Sequence, residues 1–306
     1  MQKEPKNIIN IYFGICCLFP VVNIVISVFA SVFIILTGGK APFYSLFAVP
    51  QFLLPTLTLT VFVLLSKFLI KNRKTPRDCT RLPLSDAVLF SCLYFGAIPV
   101  LEIISALNSA LFTFIGIDLP EISVFRFLPT NMAETAIFIF VLAVLPAVAE
   151  ETIFRLGMCG TLSKYSTVGA VVVSAIAFGL MHGSFQQVLY ATAAGLFFGY
   201  LFIRTNNILL TVFLHFLNNL ASCLIILISN SYGEYVSSVV YTVKTAFEIA
   251  AGLTALIICI KTKKFRIPSP ETSVKTGEII KATFRAPFFY LFAVCEIIMM
   301  MILNLI

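Results

Sequence analysis

The sequence predicts an all-α transmembrane bundle of about eight or nine spans with its N-terminus in the cytoplasm. Hydrophobic residues make up 59% of the 306 residues and charged residues only 11%, and the mean hydropathy is +1.02. Soluble domains carry about a quarter charged residues. Long apolar runs are typical of membrane helices, and lipid-exposed backbone groups must be hydrogen-bonded within their segment, which favours helices here.

Nine apolar segments are predicted to cross the membrane. They are 8–36, 43–70, 84–107, 135–158, 167–182, 186–204, 207–229, 239–260 and 286–306. The first is too long for a signal-peptide core and is not followed by a small-residue cleavage pattern, so we expect it to be retained. The fifth is short, and 108–117 could extend the third, so eight spans also fit the sequence.

The positive charges predict the orientation. Most follow the second, fourth, sixth and eighth spans, on the same side as Lys3 and Lys6, as expected for cytoplasmic loops. The opposite loops contain only two cations, Lys40 and Arg126, and the 118–134 loop carries Asp118, Glu121 and Glu134. The net charge of +7 could suggest a nucleic-acid partner, but the distribution of the cations indicates a multi-pass protein of the cell membrane instead. The basic loop 261–285 could touch anionic lipid, although an ordinary cytoplasmic loop explains it equally well.

The cysteines indicate neither a disulfide framework nor a zinc knuckle. All eight are scattered, most within apolar segments, and no pair has the spacing of metal ligands. Cysteines in such positions usually behave as small hydrophobic residues. A different packing signal lies in the sixth span, where Ala191, Gly195 and Gly199 at four-residue spacing form a face that another helix can approach closely.

Charged residues within the fourth span are the first functional signal. Charges at bilayer depth are costly and tend to be paired and functional. Glu151 and Arg155 are four residues apart, so we expect an ion pair on one helix face. The adjacent Glu150 points roughly 100° away and is left for chemistry. The alternative is a solvated charge cluster at a cytoplasmic helix end.

The two histidines strengthen that signal. His182 and His215 are the only histidines, both lie in apolar helical runs, and Asn219 shares a helix face with His215. A single membrane histidine is often only an interhelical hydrogen-bond donor. We expect the remaining intramembrane acids to pack helices or mark their ends; they are Glu102, Glu248 and Glu296. Lys244, four residues before Glu248, is a possible partner for it.

These residues resemble a known family. Glu150-Glu151-x-x-x-Arg155, Phe178-x-x-x-His182 and His215-x-x-x-Asn219, in this order and on separate helices, resemble the CPBP (CAAX protease and bacteriocin-processing) intramembrane proteases, also called the Abi or type II CAAX prenyl endopeptidase-like family. The resemblance covers about 136–228. It suggests a catalytic core there, N-terminal helices over 1–135, and C-terminal helices with the basic loop over 229–306.

The resemblance implies an endopeptidase without a Ser or Cys nucleophile. Glu150 and His182 would activate a water, while His215 and Asn219 would stabilise the oxyanion or hold the water. Glu151 and Arg155 would order the site. The substrate would be a peptide or membrane-associated protein, in CAAX-type processing, bacteriocin maturation or self-immunity.

Three questions stay open at the level of sequence. Glu150, His182 and His215 are also a possible zinc ligand set, although a metal-free site is preferred because the HExxH spacing is absent. A proton- or cation-coupled transporter, or a non-catalytic immunity protein, would use similar residues. The predicted spans also place Glu150 near the inner face and His182 near the outer face, so a shared site requires the fourth or fifth span to be misplaced, tilted or deep.

Overall fold

The chain is built from helices, and the computed structural model describes residues 3–37, 43–71, 73–117, 119, 127–272 and 274–305. Lys40, Asp118, Glu121 and Arg126, which belong to the predicted outer loops, lie outside the described residues. The helices are α1 Lys3–Cys16, α2 Leu18–Thr37, α3 Val49–Leu69, α4 Leu84–Phe114, α5 Met132–Leu162, α6 Thr167–Met181, α7 Val188–Thr205, α8 Ile208–Tyr232, α9 Glu234–Lys261, α10 Thr276–Thr283 and α11 Pro287–Leu305.

Among the described residues, seven helical segments are long and apolar enough to span a membrane. They comprise α1 with α2 as one span, then α3, α4, α5, α7, α8 and α9, and the pair α10–α11 adds an eighth if its 62° bend lies within one span. The chain is therefore a multi-pass membrane protein with a polytopic helical fold, as predicted. Helix α6, which corresponds to the predicted span 167–182, has only 15 residues and is not among these seven. It rises about 22 Å, less than the roughly 30 Å hydrocarbon core of a bilayer.

The lengths of α5 and α6 remove the conflict over depth that the predicted spans created. Helix α5 runs on to Leu162 instead of ending at 158. Glu150 therefore lies about 18 Å along the helix from Leu162, and His182 lies about 22 Å from Thr167, at 1.5 Å per residue. Because a short turn joins these two helix ends, Glu150 and His182 reach similar depths in the bundle.

Helices α6 and α7 form a tight hairpin, which confirms the packing face predicted in the sixth span. A Cβ atom added at Gly195 would lie 3.1 Å from the Cα of Ala175, and one at Gly199 would lie 3.1 Å from Val171. At the tip, Gly183 adopts a φ of +56°, which glycine tolerates and other residues rarely adopt. The amide of Asn108 on α4 donates 2.6 Å to the Phe185 carbonyl and holds the tip in place.

The four cation-containing loops that follow the second, fourth, sixth and eighth predicted spans meet at one end of the bundle. Asn206 donates to the carbonyl of Asp78, and the Thr272 amide donates to the carbonyl of Lys164. This clustering agrees with the alternation of charge in the sequence, and its cytoplasmic location remains a prediction. The basic loop 261–285 is more ordered than an ordinary loop, because it contains α10, whose Ile279 is buried in the core.

All three segments proposed from the sequence contribute to one hydrophobic core cluster. Tyr12 of α1, Phe154 of α5, Phe178 of α6 and Phe292 of α11 are buried in this cluster. The Tyr12 hydroxyl also donates 2.9 Å to the Gly157 carbonyl, which attaches α1 to α5. The helices flanking the predicted catalytic core therefore support it directly, and the division into three segments remains a sequence-based prediction.

Leucine at Gly96 should destabilise the protein by about 1–3 kcal/mol. Helices α4 and α9 cross at Gly96 and Gly252, and a Cβ atom at Gly96 would overlap the Gly252 backbone. The backbone cannot yield as a flexible side chain would, so the helices must separate. Thermal unfolding in detergent measures the effect. Gly277→Leu is the matched control because a Cβ atom there meets open space, and equal unfolding temperatures for the two variants would contradict the prediction.

Candidate active site

The predicted ion pair of α5 is present and completely buried. Arg155 Nε lies 3.2 Å from Glu151 Oε2, and both side chains have 0% exposure. The segment Glu151–Cys159 is wound as a π-helix, a distortion common at functional sites. The alternative of a solvated charge cluster at a helix end is wrong for these two residues.

Aromatic rings enclose the Arg155 guanidinium. Its central carbon lies 4.1 Å from the ring centre of Phe178 and 5.3 Å from that of Phe198. None of its nitrogens has a well-aligned hydrogen bond to a described residue, so charge attraction to Glu151 and contact with the ring faces stabilise it. The pair is therefore an internal support with no route to water.

His215 connects this ion pair to Glu150. Its Nδ1 lies 3.0 Å from Glu151 Oε1, and its Nε2 lies 3.8 Å from Glu150 Oε2. An ionised carboxylate only accepts hydrogen bonds, so Nδ1 carries the hydrogen and donates it to Glu151. The ring also stacks on Phe198 with a centroid distance of 5.3 Å. Glu151 thus fixes the orientation of His215, and Nε2 faces Glu150.

Glu150 and His182 line a common cavity of about 340 Å³. His182 Nδ1 lies 2.8 Å from the carbonyl oxygen of Phe178. Because a carbonyl only accepts, Nδ1 donates this bond and Nε2 is left for a water or substrate. The cavity therefore contains a carboxylate and an imidazole whose available nitrogen is defined by the fold.

Asn219 is less closely connected to the other five predicted residues. It is half-buried, one helical turn beyond His215, and its Oδ1 accepts a 3.3 Å hydrogen bond from Asn218. Asn218 in turn accepts one from the Tyr190 hydroxyl. Asn219 lies outside the lining of the cavity, so its role at the oxyanion remains a prediction.

Two of the remaining membrane acids, Glu102 and Glu296, have surroundings that the sequence did not reveal. Lys244 pairs with Glu248 at 2.9 Å, as expected from their spacing, and also with Glu102 of α4 at 3.5 Å. Glu296 of α11 lines the same cavity as Glu150 and His182. Its position in an apolar helix was a signal of function, but helical spacing pointed to no partner for it.

The donor set does not fit a resident metal ion in this arrangement. Among the described residues, no three His, Cys, Asp or Glu side chains are grouped so that they could hold one. Glu150, His182 and His215 are thus close without forming a ligand set.

The central helices are similar to known membrane peptidases in sequence. Residues 132–221 match the model of a family described as type II CAAX prenyl endopeptidase Rce1-like. The "Putative membrane peptidase YdiL" of Bacillus subtilis (strain 168) is 32% identical over 84 residues, which are 27% of this chain and 34% of that protein. These matches support the resemblance of residues 132–221 to the CPBP family. The chain covers about a third of the curated relative, and no solved structure gives a significant match.

All six predicted site residues lie within the matched segment 132–221. Two parts of the cavity lining lie outside that segment. One is the wall formed by α2 and α3, and the other is α11 with Glu296 and Met299. The match therefore covers the side of the cavity that carries Glu150 and His182.

Proposed function

We propose that this protein is an intramembrane endopeptidase in which Glu150 activates a water for attack on a peptide carbonyl. The observation that carries the proposal is the position of Glu150, which lines a cavity with His182 and faces the Nε2 atom of His215. General-base catalysis needs a carboxylate at a site that water and a substrate can both enter. The cavity meets that requirement, whereas the buried Glu151 does not.

In the proposed reaction, a water between Glu150 and His182 loses a proton to the Glu150 carboxylate. The hydroxide attacks the carbonyl carbon, and the carbonyl oxygen becomes an oxyanion. A hydrogen bond from the Asn219 amide, or from His215 Nε2 when that imidazole is doubly protonated, would stabilise that charge. Collapse of the intermediate breaks the C–N bond, and the proton held by Glu150 passes to the departing amine.

Glu151 and Arg155 are positioning residues in this mechanism. Arg155 balances the buried charge of Glu151, and Glu151 accepts the hydrogen bond from His215 Nδ1. The orientation of the imidazole depends on this bond. The six residues therefore divide into groups that face the reacting atoms and a pair that holds one of those groups.

The substrate we propose is a peptide segment or a membrane-associated protein. The family description makes a prenylated CAAX protein the first class to test, and bacteriocin-type peptides are the second. Bacteriocin self-immunity is the cellular role that the second class would serve. In either case the chain must be extended at the scissile bond to enter the cavity.

Alanine at His182 should lower kcat/KM for peptide hydrolysis by about 10²–10⁴-fold, the usual contribution of a general acid–base group. The protein is assayed in proteoliposomes with a pool of synthetic peptides, and products are identified by mass spectrometry. Ser184→Ala, at the same hairpin tip, is the matched control and should keep activity. Retained hydrolysis in His182→Ala would contradict the proposed mechanism, as would activity lost on chelation and restored by zinc.

A further inference from the structure

Glu296 is the unusual acid of this protein. It lies on α11, outside the segment matched by the family model, and is only 4% exposed. It lines the cavity that contains Glu150 and His182. Its Oε2 atom lies 3.4 Å from the point that a Cβ atom at Gly183 would occupy, so the carboxylate rests against the hairpin turn next to His182.

The other buried acids in the described part of the chain all have partners. Glu134 accepts hydrogen bonds from Thr130, Glu151 contacts Arg155, and Glu248 pairs with Lys244. Glu296 forms no ion pair or hydrogen bond with any described residue. A carboxylate used only for helix packing would be expected to be paired, because an uncompensated buried charge is costly.

The cavity itself lacks a cation that could compensate Glu296. Its lining residues include two glutamates and one histidine, and no Lys or Arg is among them. Much of the remaining wall is apolar, with Phe19 and Leu54 on one side and Met299 on another. A cavity that combines apolar wall residues with a buried acid suits a Lys or Arg side chain, whose stem prefers apolar contacts and whose charged end prefers a carboxylate.

Glu150 is less suited to binding such a group. It already has a neighbour in His215, 3.8 Å away, and pairing with a substrate cation would occupy the carboxylate needed for hydrolysis. Glu296 has neither constraint. Its place beside the His182 turn puts it close to the proposed scissile bond.

We propose that Glu296 is a specificity-determining residue that pairs with a Lys or Arg side chain of the substrate. This inference rests on the proposed peptidase function. It assigns the choice of side chain to α11 and the hydrolysis to α5, α6 and α8. Substrate binding then provides the opposite charge that the lining of the cavity lacks.

The test compares peptides that contain either Lys or norleucine, which lacks the terminal amine, in an otherwise random, N-terminally acetylated pool. Full-length protein in proteoliposomes is incubated with the pool, and cleaved bonds are identified by mass spectrometry. We expect at least about a tenfold preference for Lys over norleucine at one position near the cleaved bond, since charge-paired recognition discriminates to this degree. In Glu296→Gln the ratio should fall close to one.

Two further variants and a binding measurement make the outcome decisive. Glu102→Gln removes a membrane carboxylate away from the cavity and should keep the Lys preference, and Glu296→Asp should keep part of it. The preference for Lys over norleucine can also be measured as peptide binding to the Glu150→Gln variant and to the double variant Glu150→Gln, Glu296→Gln. This measurement requires no turnover, and only the first of the two should prefer Lys. Cleavage without any Lys preference, or a preference that survives Glu296→Gln, would overturn the role of Glu296 alone. Lys-selective binding without cleavage by the wild-type protein would instead overturn the peptidase function.

Discussion

Glutamine at Glu150 should lower kcat/KM for peptide hydrolysis by about 10²–10⁴-fold and leave the protein folded. The amide keeps the shape of the side chain but cannot accept a proton from water. Glu150 is partly exposed to the cavity, and its contact with His215 is as long as 3.8 Å, so little stabilisation is lost. Initial rates with the peptide pool and unfolding temperatures in the same detergent measure the two effects separately.

Glu278→Gln is the control for this substitution. Glu278 is exposed on α10, far from the cavity lining, so the same change of carboxylate to amide should leave both rate and unfolding temperature unchanged. Activity above a tenth of the wild-type value in Glu150→Gln would be incompatible with Glu150 as the general base. A large fall in its unfolding temperature would show instead that Glu150 supports the fold.

The largest effect on stability is expected from Glu151→Gln. This change leaves the Arg155 guanidinium buried without a charge partner, and breaking a buried pair in this way costs about 3–5 kcal/mol. Hydrogen bonding to His215 weakens as well. Thermal or denaturant unfolding of the detergent-solubilised protein should therefore show a marked fall in stability, and the remaining folded protein should have lower activity.

The double variant Glu151→Gln, Arg155→Met should recover much of that loss, because it removes the uncompensated charge and fills the space between Phe178 and Phe198 with an apolar side chain. Glu248→Gln is the matched control. Lys244, the partner of Glu248, is 23% exposed and still has Glu102 at 3.5 Å. Glu248→Gln should therefore destabilise the protein less than Glu151→Gln does. A double variant no more stable than Glu151→Gln would show that the charge imbalance is not the cause.

The fold was largely predictable because it follows from two properties that can be counted along the sequence, the length of apolar segments and the positions of cations. Apolar length identified the helices that cross the membrane, and the distribution of cations correctly grouped the loops that meet at one end. Helix α6 was the harder case, because an apolar run does not reveal that its helix is short and ends at the tip of a hairpin. The hairpin tip depends on the Gly183 turn and on the Asn108 contact, which joins residues distant in sequence.

The candidate site was predictable where its contacts follow helical spacing. Glu151 and Arg155 are four residues apart on one helix, and their contact could be foreseen. The contacts of His215 with Glu150 and Glu151 join two helices, so the sequence suggested the members of this cluster and not which histidine lies against Glu150. Glu102 and Glu296 were assigned to packing because their neighbours lie on other helices.

The division of the cavity wall has a consequence for how such proteins diversify. The proposed hydrolytic groups lie on α5, α6 and α8, whereas α2, α3 and α11 form the facing wall of the cavity, beyond the matched segment. If the proposed function holds, substitutions on the facing wall change which polypeptides are accepted without disturbing the chemistry. Two relatives with the same residues across 132–221 could therefore accept different polypeptides, and the helices of the facing wall are where that difference in selectivity is expected.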